Sequence, residues 1–194
     1  MTALASSKPQ GAVFGLFGLS GVGKTWLADR LVERFPALLH LEASSLLKAA
    51  HQAEGEALRT SGRDRLIANQ EALATAFADA RAAQQERPVL ISAHTVIDNE
   101  AELVEVPFSA IQPLGISYYL FLAADPEVIA ARRANSSRQR PARSIAVLAE
   151  HQRRACEVCQ SYAEGSGRPF LLLDQSGSDR SLEQAIAAVG SAVA

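Results

Sequence analysis

A short stretch near the N-terminus combines glycine, lysine and threonine in an order suited to binding phosphate. It follows the pattern G-x-x-x-x-G-K-T and consists of Gly18, Leu19, Ser20, Gly21, Val22, Gly23, Lys24 and Thr25. Glycine tolerates backbone angles that turn successive N–H groups toward one point, and a following helix N-terminus adds further donors. Lys24 adds a positive charge, and Thr25 offers a hydroxyl oxygen of the kind that Mg²⁺ prefers. The pattern predicts a loop that holds a triphosphate with Mg²⁺, and we extend the predicted contact segment to Trp26.

The residues on either side of this loop predict a strand before it and a helix after it. Residues 12–17 form a short apolar run, as in a buried parallel strand. Beyond the loop, apolar residues recur at helical spacing until Pro36 ends the pattern, and they are Leu27, Leu31, Val32 and Phe35. The alternative, a glycine-rich turn that happens to precede a lysine, does not account for these flanks.

Length and charge limit the class of protein. The chain has 194 residues and a formal net charge of −2, which fits one α/β domain and argues against a nucleic-acid partner. No apolar run is long enough to cross a bilayer, and no signal-peptide pattern opens the chain. We therefore expect a cytoplasmic protein without a membrane partner, with a flexible leader over residues 1–10 and a single domain over residues 11–194.

The two cysteines, Cys156 and Cys159, form a C-x-x-C pattern that could belong to a redox pair or to half of a zinc site. No second C-x-x-C or Cys/His cluster accompanies them. They also continue an apolar stripe at helical spacing through Ile145, Leu148 and Ala163. We therefore expect them to be reduced residues of the core.

Strand-like and helix-like segments alternate along the rest of the chain. The predicted strands after the first are residues 38–41, 88–92, 116–122 and 169–173. The segments between and after them are predicted to be mainly helical. Residues 43–87 form a helical insert with a break at Ser61-Gly62, a helix begins at Asp125-Pro126, another spans residues 144–163, and an amphipathic helix closes the chain. This alternation predicts a parallel five-stranded sheet covered by helices on both faces, with ligands bound at the carboxyl ends of the strands.

The order of these parts resembles the P-loop nucleoside and small-molecule kinases, in particular the adenylate kinase-like and gluconate kinase-like families, over about residues 11–190. The resemblance implies a three-layer α/β/α P-loop NTPase fold and Mg²⁺-dependent transfer of a phosphoryl group from ATP to a small-molecule acceptor. It makes residues 43–87 the acceptor-binding insert. Within it, Lys48 lies where adenylate kinases usually have an arginine for the monophosphate. Gln175 follows the last strand, where related kinases form the loop against the adenine base, and the absence of an Asn-Lys-x-Asp pattern favours ATP over GTP.

Five arginines crowd a segment that contains no acidic residue, and they are Arg132, Arg133, Arg138, Arg140 and Arg143. Such a cluster favours anions. It is similar to the arginine-bearing lid that closes over ATP in these kinases, which makes residues 133–143 the predicted lid and Arg133 and Arg138 its best catalytic candidates. For any single arginine, the alternative is a solvated basic turn.

The third predicted strand ends in Ser92-Ala93-His94, where many P-loop enzymes have an aspartate that orients Mg²⁺ and its waters. Glu42, at the end of the second strand, is the leading candidate for this role or for accepting the acceptor's proton, and Asp98 is the second. Glu42 could instead cap the helix that follows it. His94 could donate to an acceptor phosphate, although a histidine that leaves a buried strand is more often structural.

Three functions are consistent with these residues. The first is an ATP-dependent kinase with catalytic residues Lys24, Arg133, Arg138 and Glu42, acting on a nucleotide-like or sugar-like acceptor. The second, suggested by the missing aspartate and by Lys48, is an ATP-binding regulatory module with impaired catalysis. The third is a polynucleotide-end or RNA kinase that uses the arginines as a backbone contact, which the near-neutral charge argues against. The sequence predicts neither the acceptor nor the oligomeric state.

Overall fold

The computed structural model describes residues 11–51, 63–136, 140–175 and 180–193. The predicted leader, the Ser61-Gly62 break and Arg138 lie outside these residues. Seven strands are present in the described part of the chain, and they are β1 (Val13–Phe17), β2 (Leu39–Glu42), β3 (Val89–Ser92), β4 (Val96–Asp98), β5 (Leu103–Glu105), β6 (Tyr118–Ala123) and β7 (Phe170–Asp174).

Helices connect these strands. They are α1 (Lys24–Arg34), α2 (Ala43–His51), α3 (Arg63–Arg81), α4 (Phe108–Ile111), α5 (Pro126–Ala134), α6 (Ile145–Ser166) and α7 (Arg180–Val193), with a 3-10 turn over Gln112–Leu114. Two of them begin as the sequence predicts. The Asp125 side chain accepts a hydrogen bond from the Glu127 N–H at the start of α5, and the Ser144 side chain accepts one from the Val147 N–H at the start of α6.

Five strands form a parallel sheet in the order β2-β3-β1-β6-β7, with β1 at its centre. Every residue of β1 and of β3 is buried, because helices cover both faces of the sheet. The prediction of an α/β fold with a parallel five-stranded sheet is confirmed. The register places Leu16, Glu42 and Ser92 side by side at the carboxyl ends of three neighbouring strands.

The structure adds elements that the sequence did not predict. Strands β4 and β5 pair in an antiparallel two-stranded sheet, and α4 follows them. Each of these strands has only three residues, and a pattern of apolar and polar residues that short does not separate strand from loop. The buried Thr95 hydroxyl donates to the Ala155 carbonyl and the buried Tyr162 hydroxyl to the Val106 carbonyl, so both contacts join the hairpin region to α6.

One part of the predicted core stripe on α6 is wrong. Ile145 is 48% exposed, whereas Leu148 and Ala163 are buried. Ile145 is the first residue of the helix, and the buried face of the helix begins only at Leu148. The cysteines agree with the prediction, since both are free thiols, Cys159 buried and Cys156 half-buried.

Across the described ranges, no helix is long and apolar enough to cross a membrane.

Candidate functional site

The loop between β1 and α1 has the geometry of an anion cradle. Gly23 is the N-cap of α1 and has a φ of 111°, a value that side chains rarely allow. A Cβ at this position would lie 3.0 Å from Arg132 Nη1 and from Gln175 Oε1. Among the described residues, no side chain caps the start of α1, and its first turn contains no acidic residue. The first N–H groups of a helix have no partner within it, so this end of α1 favours a bound anion.

Lys24 belongs to the wall of this cradle. Its ammonium group donates to the Gly18 carbonyl at 2.8 Å and to the Leu19 carbonyl at 3.1 Å. These bonds hold the charge against the loop in which the glycines lie. Lys24 and the glycines predicted to bind phosphate therefore lie together in one loop.

Three arginines from α5 and from the segment after it reach the same loop. Arg132 Nη1 donates to the Val22 carbonyl at 2.6 Å, Arg133 Nε to the Ser20 carbonyl at 2.9 Å, and Arg140 Nε to Ser20 Oγ at 2.8 Å. These contacts are made by residues far apart in the chain. Arg132 also donates to Gln175 Oε1 at 3.2 Å, which joins the loop after β7 to the cradle.

The electrostatics of this cluster favour an anionic ligand. Burial lowers the pKa of the Arg133 guanidinium, and the neighbouring charge of Arg140 lowers it further. Both effects mean that bringing these cations together costs free energy, and an anion in the cradle offsets that cost.

Arg143 contacts a different part of the protein. Its guanidinium donates to both oxygens of Asp98, from Nε at 3.0 Å and from Nη2 at 2.8 Å, and Nη2 also donates to the Glu100 carbonyl at 2.8 Å. Burial alone would raise the pKa of Asp98, but the hydrogen bonds and charge of Arg143 hold it below its usual value. Asp98 is thus bound to the predicted lid segment, and Thr25 has a different carboxylate beside it.

That carboxylate is Glu42, at the end of β2. Its Oε1 accepts from the Thr25 hydroxyl at 3.5 Å, and its Oε2 accepts from the Ser45 hydroxyl at 3.1 Å. Both interpretations of Glu42 therefore have a contact to support them, one toward the phosphate loop and one toward the first turn of α2. The Thr25 contact places Glu42, the first of the two predicted candidates, beside the predicted metal ligand.

His94 lies behind the loop. Its Nδ1 is 3.0 Å from the Gly18 carbonyl, which can only accept, so Nδ1 carries the proton. Burial lowers the pKa of His94 well below its ordinary value, and the charge of Lys24 lowers it further. The ring is therefore neutral near pH 7, with its only N–H directed to the loop, which does not fit the suggestion that it donates to an acceptor phosphate.

A cleft of about 360 Å³ opens between these groups. Its described lining is polar and consists of Ser20, Gly21, Gly23, Lys24, Thr25, Glu42, Ser44, Ser92, His94, Arg132, Ser136 and Arg140. Trp26, which was predicted to belong to the contact segment, is not in this described lining and is 45% exposed. Lys48 is exposed on α2. Sequence reasoning named Arg132 and Arg140 in the arginine cluster but singled out Arg133 and Arg138 instead. It missed the partner of Ser92, which is His40.

A family model described as an AAA domain matches residues 17–149. The chain belongs to this family. The match contains the phosphate loop, the insert, the β4–β5 hairpin and α5. No curated protein matches the chain.

Solved structures of small-molecule kinases have the same fold. A sugar kinase from Janibacter sp. HTCC2649 aligns with 94% of this chain and 94% of its own, at 21% identity and a TM-score of 0.58. Shikimate kinase from Bacteroides thetaiotaomicron aligns with 94% of this chain and 98% of its own, at 15% identity and a TM-score of 0.59. Shikimate kinase from Acinetobacter baumannii, solved with shikimate, aligns with 93% of this chain and 94% of its own, at 11% identity and a TM-score of 0.59. The predicted P-loop kinase fold is confirmed.

This fold implies a nucleotide and usually Mg²⁺, and the residues present suit both. The cradle supplies amide donors and cations for phosphates, and Thr25 and Glu42 supply hard oxygen ligands on one side of it. Within the described ranges, no group of three or more His, Cys, Asp or Glu residues could hold a metal ion by itself. Mg²⁺ tolerates such a site because it keeps several waters and shares phosphate oxygens with the nucleotide.

Proposed function

We propose that this protein is an ATP-dependent kinase that transfers the γ-phosphoryl group to a hydroxyl of a small, nucleotide-like or sugar-like molecule. The observation that carries the proposal is the convergence of Lys24, Arg132, Arg133 and Arg140 on one glycine-rich loop. Cations placed before the reaction stabilise charge as it develops on transferring oxygens without further reorganisation. A protein that only needed a stable fold would gain little from so many like charges in one place.

Each residue has a role in this mechanism. The loop amides and Lys24 would bind the β- and γ-phosphates, Thr25 would bind Mg²⁺, and Glu42 would hold one of its waters. Mg²⁺, when bound, neutralises part of the phosphate charge. Arg132 and Arg140, which line the cleft, would stabilise the transferring group. Arg133, a predicted catalytic residue, is not in the described lining of the cleft and would hold the loop through the Ser20 carbonyl.

The reaction itself exchanges one bond for another. An acceptor oxygen forms a bond to the γ-phosphorus while the bond to the bridging oxygen of ADP breaks. The hydroxyl proton leaves the acceptor, and Glu42 is the carboxylate in the cleft that can take it. Arg138, which lies outside the described residues, remains a predicted member of the arginine group.

The proposal is tested by measuring ADP formation from Mg²⁺-ATP with a panel of nucleoside monophosphates, sugars, sugar acids and other hydroxyl compounds. We expect one chemical class to stimulate ADP formation and Lys24→Ala to abolish it. Arg30→Ala is the matched control, because Arg30 pairs with Glu33 on the exposed face of the same helix. Transfer that persists in Lys24→Ala would contradict the mechanism.

The two alternatives give different results in the same experiment. A regulatory module would bind nucleotide but form no ADP with any acceptor. A polynucleotide kinase would act only on nucleic-acid ends, and its activity would fall steeply as salt is raised.

A further inference from the structure

Two side chains that the mechanism above does not use form a pair at the edge of the cleft. His40 Nε2 lies 2.9 Å from Ser92 Oγ. His40 is in β2 and Ser92 ends β3, the neighbouring strand. Ser92 lines the cleft and is 7% exposed, so its hydroxyl lies between the histidine ring and the space where ligands bind.

The register places this pair beside the predicted metal ligands. Glu42 and Ser92 are direct partners in the β2–β3 ladder, and Leu16, the partner of Ser92 on its other side, is two residues from Gly18. Parallel strands direct paired side chains to the same face of a sheet. Glu42 in turn contacts Thr25. The Ser92 hydroxyl, the Glu42 carboxylate and the Thr25 hydroxyl therefore line one wall.

A serine hydroxyl can donate one hydrogen bond and accept two, and its orientation depends on its neighbours. If Ser92 Oγ–H donates to His40 Nε2, both acceptor lone pairs remain for a donor in the cleft. Water bound to Mg²⁺ is such a donor, and it requires acceptors that fix its position. A carboxylate would provide such acceptor atoms, but this chain has Ser92-Ala93 where many P-loop enzymes have an aspartate.

We propose that Ser92, oriented by His40, accepts a hydrogen bond from a magnesium-bound water and takes the place of the absent carboxylate at the end of β3. Ser92 contacts the metal's water, and His40 is a positioning residue that acts through Ser92. This inference rests on the proposed function, because it needs a Mg²⁺-nucleotide in the cleft.

The test measures nucleotide binding rather than turnover. Trp26 is the only tryptophan in the chain and directly follows Thr25, so its fluorescence can report binding without a label. ADP is titrated once with excess Mg²⁺ and once with EDTA, and the ratio of the two dissociation constants gives the contribution of the metal. Calorimetry supplies the same constants if the emission does not change.

We expect Ser92→Ala to reduce this metal contribution about tenfold, the low end of the effect of removing a partner that orients metal ligands. Its affinity for ADP in EDTA should equal that of the wild type. His40→Phe should reproduce the loss, whereas His40→Gln should retain most of the contribution because its amide can still bond to Ser92. In the double variant Ser92→Ala, His40→Phe, the second change should add nothing.

Three results would overturn the inference. The first is an unchanged metal contribution in Ser92→Ala. The second is an equal loss of affinity with and without Mg²⁺, which would mean that Ser92 contacts the nucleotide or only supports the fold. The third is a wild-type protein that binds no nucleotide, which would refute the proposed function as well. Thermal unfolding of each variant, with His40→Gln as the conservative change, separates these results from misfolding.

Discussion

Replacing Gly23 by alanine tests whether the loop is a cradle whose shape matters for ligand binding. The φ of 111° at Gly23 is unfavourable for any residue with a Cβ, at a cost of about 1–3 kcal/mol. The added methyl group would also lie 3.0 Å from Arg132 Nη1 and Gln175 Oε1. Both atoms end flexible side chains, so they can move away, but the 2.6 Å bond from Arg132 to the Val22 carbonyl would be distorted.

The expected loss of nucleotide affinity follows from the altered loop backbone, whose N–H groups bind the β-phosphate in the proposed mechanism. A hydrogen bond to a charged group contributes about 1.5–3 kcal/mol, and about 1.4 kcal/mol corresponds to a tenfold change in a dissociation constant. Gly23→Ala should therefore weaken ADP binding about tenfold or more. The free energy of unfolding should fall by about 1–3 kcal/mol from the backbone strain.

Gly115→Ala is the matched control. Gly115 also has a positive φ, of 64°, but nothing lies within 4 Å of an added Cβ, and it ends the 3-10 turn far from the loop in sequence. Its replacement should cost about 1–2 kcal/mol in stability and leave ADP binding unchanged. The assay combines urea unfolding with a Trp26 titration of ADP. Equal affinity for ADP in Gly23→Ala and wild type, or an equal loss in both variants, would refute the reasoning.

Three further results follow from the structure. Arg140→Ala should lower the rate of phosphoryl transfer about 10²–10³-fold, as expected for removing one group that stabilises developing charge. The control Arg30→Ala should leave the rate unchanged, and a wild-type rate of ADP formation in Arg140→Ala would contradict this role. Arg143 holds the pKa of Asp98 below its ordinary value of 3.8, so Asp98→Asn should unfold at a lower urea concentration than wild type at pH 7. This difference should shrink as the pH falls below 3.8. A difference that grows in acid would contradict the stabilising role of the ionised carboxylate. Burial raises the pKa of the Cys159 thiol well above its usual value, so a thiol reagent at neutral pH should modify Cys159 only on unfolding, and rapid reaction in the native protein would contradict its place in the core.

The sequence predicted the elements that follow strong local rules. The predicted runs at residues 12–17, 88–92 and 169–173 each agree with an observed strand to within one residue at either end. The first two are fully buried parallel strands, and all three have the apolar runs typical of strands in a parallel sheet. The beginnings of α5 and α6 were equally predictable, because Asp125 and Ser144 satisfy N–H groups within their own turn.

Weakly patterned segments were not predictable in this way. The β4–β5 hairpin is held by its contacts with α6, such as the bond from the Thr95 hydroxyl to the Ala155 carbonyl, 60 residues away. Ile145 has the spacing of a core residue but is 48% exposed, because the buried face of α6 begins only at Leu148. Spacing alone does not tell where along a helix burial begins, and for the hairpin the deciding neighbours are distant in the chain.

The sequence by itself determined the phosphate loop, because the chemistry of glycine, Lys24 and Thr25 acts within eight consecutive residues. Only the tertiary structure decided which arginines reach that loop and which partners complete it. Arg140 and Ser20 are 120 positions apart, and His40 and Ser92 are 52 apart. These contacts depend on the strand order β2-β3-β1-β6-β7, which brings the carboxyl ends of distant strands together. A local pattern of residues does not predict that strand order, because the strand order depends on how helices pack on both faces of the sheet.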